Sequence, residues 1–339
     1  VPLRPLLFGE IVDGAFQAVR RNPAAMLGAG VIAQALGSVT TAVVRSGVVS
    51  TGPLGPWLES LAPADAVSLG LGVAGAAMLL SLLAILLSVV MQGFMAVPVA
   101  RSLLNRPTGF RQMWTLARSR TGALLALAVV LVLGAVAAVA LAVAATVAVV
   151  GLLDRSAGVL LVILFPLLAV VLLWLAIRFQ AAPSAIAVEE LGAFAGLRRS
   201  WHLTGGHWWR IFGITLVVGL LVGVITQVIL IPVNLLGQGL GGTVFAQGGD
   251  AGDQAVNAAV VVLGTVVAAL VAAVGFAFQT STVALVYLDL RMRKDGLDLA
   301  LMRQLESGAE PGGVPGRTAA ADGGSRPWPP APGWPPVRG

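Results

Sequence analysis

The chain has 339 residues, 58% hydrophobic and only 11% charged, with a mean hydropathy of +0.93. An average globular domain carries about 25% charged residues, so a water-soluble single-core fold is excluded, and the lack of cysteine excludes a disulfide frame and thiolate chemistry. Twenty arginines and one lysine against 15 acidic residues give a net charge of +6, and the basic residues sit at the ends of apolar runs, a placement that favours anionic headgroups over nucleic acid.

Near the start, Phe8, Ile11, Val12, Ala15, Phe16 and Val19 recur at helical spacing, with Glu10, Asp13, Gln17, Arg20 and Arg21 opposite. Such a helix either lies flat in the headgroup boundary or packs on the ends of its own bundle. Arg20 and Arg21 precede an apolar run containing Ala33-Gln34-Ala35, as a signal peptide would require. Glu10 and Asp13 upstream, and continuation of the run to Val44, favour an uncleaved first span instead.

Uncharged runs then follow at residues 24–44, 67–100, 123–150, 157–177, 211–236 and 256–288. Each has the roughly 20 residues that cross about 30 Å of hydrocarbon as a helix. The second has no internal turn signal, so it is expected as one long helix, tilted or bent near Pro98. Arginine placement counts the spans independently. Arg4, Arg20 and Arg21, then Arg101 to Arg120, then Arg178 to Arg210, then the C-terminal arginines alternate with connections holding only Arg45 and Arg155 among basic residues. The positive-inside rule makes both ends cytoplasmic in a cell membrane.

The arginine-rich connections resemble one another. Gly14-Ala15-Phe16 with Arg20 and Arg21 is echoed by Gly192-Ala193-Phe194 with Arg198 and Arg199; Phe110, Met113, Trp114 and Ala117 form a comparable stripe beside Arg111, Arg118 and Arg120. In the central island, Ala187, Leu191, Phe194 and Trp201 are expected on one surface helix. A surface helix before each pair of spans would make three degenerate helix-plus-hairpin units, although interfacial helices converge on this composition without duplication. The connection from Gly237 to Asp253 is Gly-rich, and residues 307–339 have the Pro/Gly composition of a disordered tail. Residues 1–306 form the membrane domain.

No ionisable residue lies mid-span, which argues against a proton-coupled pump. Gln34, Gln92, Gln227, Asn234 and the run Gln279-Thr280-Ser281-Thr282 either line a polar track or bond between helices. Gly219-x-x-x-Gly223 has the spacing of a close helix contact. His202 and His207 with Glu189 and Glu190 form a weak metal constellation, since the histidine spacing is not a recognised ligand pair; Trp201, Trp208 and Trp209 beside them suit an interfacial anchor. Asp250 and Asp253 are too few for a calcium site. Trp328-Pro329-Pro330 and Trp334-Pro335-Pro336 suit either a proline-reading partner or a spacer. No cofactor or nucleophile motif is present.

The opening Leu3-Arg4-Pro5-Leu6, Gly9-Glu10-Ile11 and Asp13-Gly14-Ala15-Phe16, together with Tyr287, Asp289, Arg291, Arg293-Lys294, Gly296 and Asp298, resembles an actinobacterial membrane family of unassigned role. That family is labelled by similarity to the membrane domain of glycerophosphoryl diester phosphodiesterase. The resemblance spans about residues 3 to 305 and implies no catalytic residue, because the phosphodiesterase catalytic domain is a separate soluble barrel.

The expectation is therefore an all-α polytopic bundle of about six spans with amphipathic surface helices. It would act as a non-enzymatic scaffold or accessory subunit in the cell envelope, with a transporter or lipid-handling protein as the alternative. Structural or interface roles fall to Gly14, Phe16, Arg20, Arg21, Phe194, Arg198, Arg199, Trp208, Trp209, Asp289, Arg291 and Arg293. Expected partners are anionic headgroups, with no cofactor and no nucleic acid; a membrane-protein partner fits the exposed surface helices. Asp289 is expected to pair with a basic residue and pin the end of the last span.

Overall fold

The computed structural model describes residues 6–48, 60, 62–153, 157–239, 251–306, 313–315 and 317. Among them the regular structure is helical: α1 (Phe8–Arg21), α2 (Pro23–Val48), α3 (Pro63–Leu103), α4 (Phe110–Ala117) with a 3-10 turn at Arg118–Arg120, α5 (Thr121–Leu153) and α6 (Ala157–Phe179). The second half contains α7 (Ala182–Glu189), α8 (Ala193–Thr204), α9 (Trp208–Gly239), α10 (Ala251–Asp295) and α11 (Leu297–Glu306). Six helical segments are long and apolar enough to cross a membrane, and each run expected from sequence lies within one of α2, α3, α5, α6, α9 and α10. Between 11% and 33% of their most apolar windows is buried. Leu141, Val228 and Leu220 point outward with most of their surface free, an arrangement stable only where lipid replaces water.

Lipid is as apolar as leucine, so these helices associate through close packing rather than hydrophobic exclusion. Ala25, Ala29 and Ala33, at successive turns of α2, are buried, as are Ala273 and Ala277 on α10. Gly30 sits where α2 meets α10: a Cβ there would lie 2.6 Å from the Ala273 carbonyl oxygen. The Gly219 and Gly223 pair is not used this way, since a Cβ at either position would meet nothing within 4 Å. The spacing of small residues was legible, but which pair faces another helix is a tertiary property.

Each hairpin of spans is preceded by a short helix: α1 before α2 and α3, α4 before α5 and α6, α8 before α9 and α10. The short helices pack on the end of the preceding hairpin, α4 on α3 and α8 on α6 and α7, while α1 closes the circle by packing on α10. α3 runs unbroken for 41 residues with Pro98 inside it, and contacts α2, α5, α7 and α10.

Candidate functional site

The start of α2, the end of α3, the start of α5, the end of α6, the start of α9 and the end of α10 meet at one end of the bundle, and the arginine-rich connections meet there with them. Ion pairs and hydrogen bonds spanning large sequence separations tie this end together.

Asp289, on the last turns of α10, is 1% exposed. Arg210 Nη1 lies 2.5 Å from its Oδ2, Arg293 Nε lies 3.0 and 3.1 Å from its two oxygens, and the Leu6 N–H donates to Oδ1 at 2.7 Å. Arg210 Nη2 also donates to the Leu6 carbonyl at 2.6 Å. The expected pairing of Asp289 is thus met by two guanidinium groups, and the carboxylate ties the N-terminal segment to α9 and α10. α1 buries Ile11, Gly14, Ala15 and Ala18, while Phe8 and Phe16 stay exposed. It therefore packs on the bundle end through its small residues and leaves both phenylalanines outward. Arg20 and Arg21 are exposed, and Arg21 Nη1 donates to Asn105 Oδ1. Next to it, the Asn22 side chain accepts from the Thr108 N–H at 2.6 Å, fixing the turn before α4.

The central island departs from the expected single surface helix. Pro183 opens α7, whose residues Ala182 to Val188 are all buried, and Glu190 takes a left-handed conformation at φ 57. That backbone ends α7 and separates Ala187, inside the bundle, from Phe194 and Trp201, which are 75% and 41% exposed on α8. Periodicity read across residues 187–201 missed the break because no glycine or proline marks position 190. α8 buries its Gly196, Ser200, Leu203 and Thr204 face. A Cβ at Gly196 would collide with Ile186 of α7, so only glycine permits that crossing.

The left-handed residue sends two adjacent carboxylates to different partners. Glu189, 4% exposed, accepts from the Tyr287 hydroxyl at 2.7 Å and from Arg199 Nε at 2.9 Å, with Arg291 Nε 3.3 Å away. Asp295 pairs with Arg199 and lies 3.6 Å from Arg291 Nε. Glu190 is 3.0 Å from Arg317 and 3.7 Å from Arg120. Burial lowers the Arg199 proton affinity, but Glu189 and Asp295 together outweigh it and hold the guanidinium above its ordinary value. Arg291 is 1% exposed. A buried cation of this kind persists only when hydrogen-bonded partners surround it, and its position just past the last apolar run gave no sign of that burial.

Gly313, Val314, Pro315 and Arg317 fall inside the stretch whose composition reads as a disordered tail, and for these residues the structure differs. Val314 and Pro315 are buried, Arg101 Nη1 donates to the Gly313 carbonyl at 2.9 Å, and Arg317 Nη2 donates to the Ala187 carbonyl at 3.3 Å. A proline-rich stretch loses little backbone entropy on docking, and two arginines supply the donors.

Aromatic anchors complete this end. Arg178 lies between Trp174 and Trp201, 5.1 and 4.7 Å from the ring centroids. Trp208 stacks on Phe212 with centroids 5.1 Å apart, and Trp209 is 78% exposed. In the α4 stripe, Met113 and Ala117 are buried, and Trp114 meets Phe94 edge-on at 5.1 Å. Lys294 Nζ donates to the His202 and Gly205 carbonyls at 2.7 and 2.8 Å, placing a cation at the C-terminus of α8.

An open groove of about 860 Å³ runs between α8 and the junction of α10 with α11. Its polar wall is Glu189, Arg199, Arg291 and Asp295; its apolar wall includes Leu191, Phe194 and Leu297; Arg198 and His202 line it from α8. His207 contacts the Gly205 carbonyl at 3.4 Å, and among the described residues no group of three metal-ligating side chains forms. The metal constellation from sequence therefore has no geometric counterpart there.

The polar span residues divide. Ser281 and Thr282 are buried and donate to the Ala277 and Phe278 carbonyls of their own helix at 2.7 and 3.0 Å, whereas Gln227 and Gln279 face outward. These hydroxyls satisfy the helix backbone. The Asn234, Asp253 and Arg45 side chains, residues 240–250 of the Gly-rich connection with Asp250, Asp154, Arg155 and the two Trp-Pro-Pro motifs lie outside the described residues. The connection itself is shorter than composition implies, since α9 reaches Gly239 and α10 starts at Ala251.

The family model described as "Domain of unknown function (DUF7847)" matches residues 9–290. No curated protein matches the chain, and no solved structure does.

Proposed function

From the premise that the chain belongs to the DUF7847 family, we propose that it is a non-enzymatic scaffold or accessory subunit of the cell envelope. In this reading its arginine-rich end is cytoplasmic and rests against anionic headgroups of the cell membrane. The observation that carries it is the pairing at that end. Glu189, Glu190, Asp289 and Asp295 are each shared between two guanidinium groups. A catalytic acid or base needs a proton affinity poised near the working pH and an unobstructed approach to substrate; carboxylates held this way serve instead to lock helices together. Exposed Phe16, Phe194 and Trp209, with Arg20 and Arg198 nearby in sequence, suit an interfacial layer. The resemblance of both chain ends to a membrane family that only carries a label from the phosphodiesterase membrane domain is compatible with the same reading, because in that enzyme the chemistry belongs to another domain.

The alternative is a lipid-handling or transport role. The groove beside α8 favours lipid handling, whereas the inward hydroxyls of Ser281 and Thr282, bonded to their own helix, offer little to a transport path. The test is reconstitution of the purified full chain in vesicles, with assays of glycerophosphodiester hydrolysis and solute flux, together with protease access, in intact cells, to tags at both ends. The scaffold reading expects neither activity above empty vesicles and tags cleaved only after permeabilisation. Hydrolysis that purifies with the chain and disappears in Glu189→Gln would overturn it.

A further inference from the structure

Residues 194, 195, 198, 199 and 202 share one face of α8 and all line the groove, while the opposite face of that helix is buried. The charges within the groove do not cancel. Arg199 and Arg291 are matched by Glu189 and Asp295, both of which they contact. That leaves Arg198, which is exposed and makes no hydrogen bond or ion pair among the described residues. His202 follows it by one helical turn and is also exposed, with its carbonyl, not its ring, engaged by Lys294. An unmatched guanidinium with an imidazole beside it is a site for an oxyanion.

The remaining walls say what kind of oxyanion. Free phosphate needs no apolar surface, and a volume of about 860 Å³ is far larger than phosphate fills. Leu191, Phe194 and Leu297 lie along the same groove, and Phe194 is 75% exposed at the arginine-rich end, where Trp209 is exposed as well. A molecule with a phosphate ester at one end and hydrocarbon at the other satisfies both walls.

Resting on the reading that this end faces the headgroup layer, we propose that the groove between α8 and the α10–α11 junction holds one molecule of an anionic glycerophospholipid. Arg198 takes its phosphate, His202 adds a second donor, and Phe194 and Leu191 receive the start of its acyl chains. The salt-bridged wall of Glu189, Arg199, Arg291 and Asp295 is the rigid back of the site, and its carboxylates disfavour a second anion.

The experiment is native mass spectrometry of the full chain released from nanodiscs of phosphatidylcholine containing phosphatidylglycerol, with Arg198→Gln and Arg20→Gln compared. Loss of one charge-assisted contact weakens binding about tenfold. The expected result is one phosphatidylglycerol retained by the wild type and by Arg20→Gln, and retention reduced about tenfold in Arg198→Gln. Phe194→Ser should weaken retention while leaving headgroup preference intact. Equal retention in Arg198→Gln, equal retention of phosphatidylcholine, or full displacement by inorganic phosphate would overturn the proposal, the last by marking a site for a free anion. An acidic peptide that binds in place of lipid would overturn it too. A chain that turned over substrate while holding one lipid at Arg198 would sink the scaffold reading and leave the groove standing; an inactive chain without lipid would do the reverse.

Discussion

Replacing Asp289 with asparagine tests the best-defined contact in the molecule. Removing one partner of a buried ion pair costs about 3 to 5 kcal/mol, mostly from the charge left without compensation. Here the orphaned cations are Arg210 and Arg293, whose side chains are 32% and 31% exposed, so water recovers part of that loss. Asparagine also keeps an oxygen for the Leu6 N–H. The expected destabilisation is therefore smaller, about 2 kcal/mol. Membrane insertion should be unchanged, because no apolar run is altered. The assay is thermal unfolding in detergent alongside amide exchange at Leu6 to Ile11, where release of α1 from α10 appears first. Adding Arg210→Gln to Asp289→Asn should cost less than the two single changes combined, as expected for contacting residues. An unshifted melting curve with unchanged exchange at Leu6, or strict additivity in the double variant, would refute the reasoning.

Three further outcomes follow from the geometry. Gly30→Ala places a methyl group against the Ala273 backbone and should cost about 1 to 3 kcal/mol, whereas Gly219→Ala should be neutral; detergent melting of the pair separates close approach from mere glycine content. Arg178→Gln removes a cation from between two tryptophans and should cost about 1 kcal/mol with a change in tryptophan emission. Truncation after Glu306 removes the docked Val314 and the Arg317 pairs; it should leave insertion intact and increase exchange of α7 amides, and identical exchange would show that the strap does not hold α7.

The readings that survived and those that failed divide along a physical line. The run from 211 to 236 and α9 agree because hydrocarbon length and lack of charge are properties of a segment taken alone. Alternation of arginines could be counted for the same reason, and the ends it groups together do meet in space. At Glu190 the same method failed: the left-handed residue carries a side chain paired with Arg120 and Arg317, which arrive from elsewhere in the chain, and residues 187–201 taken alone read as one helix. The composition of residues 307–339 likewise carried no sign that Arg101 and Arg317 would hold Gly313 and its neighbours in place.

By itself, then, the amino-acid order determined an all-helical chain with six segments able to cross a membrane and its cations gathered between alternate pairs, since transfer of a segment into lipid depends on that segment's own side chains. Only the tertiary structure decided which charges are buried. Leu6 reaches Asp289 across 283 positions and Tyr287 reaches Glu189 across 98, and burying a charge is stable only when the chain delivers its partners from such distances. The groove beside α8 has the same origin, since α8 supplies Arg198 while the acids that neutralise its neighbours come from α7 and α10.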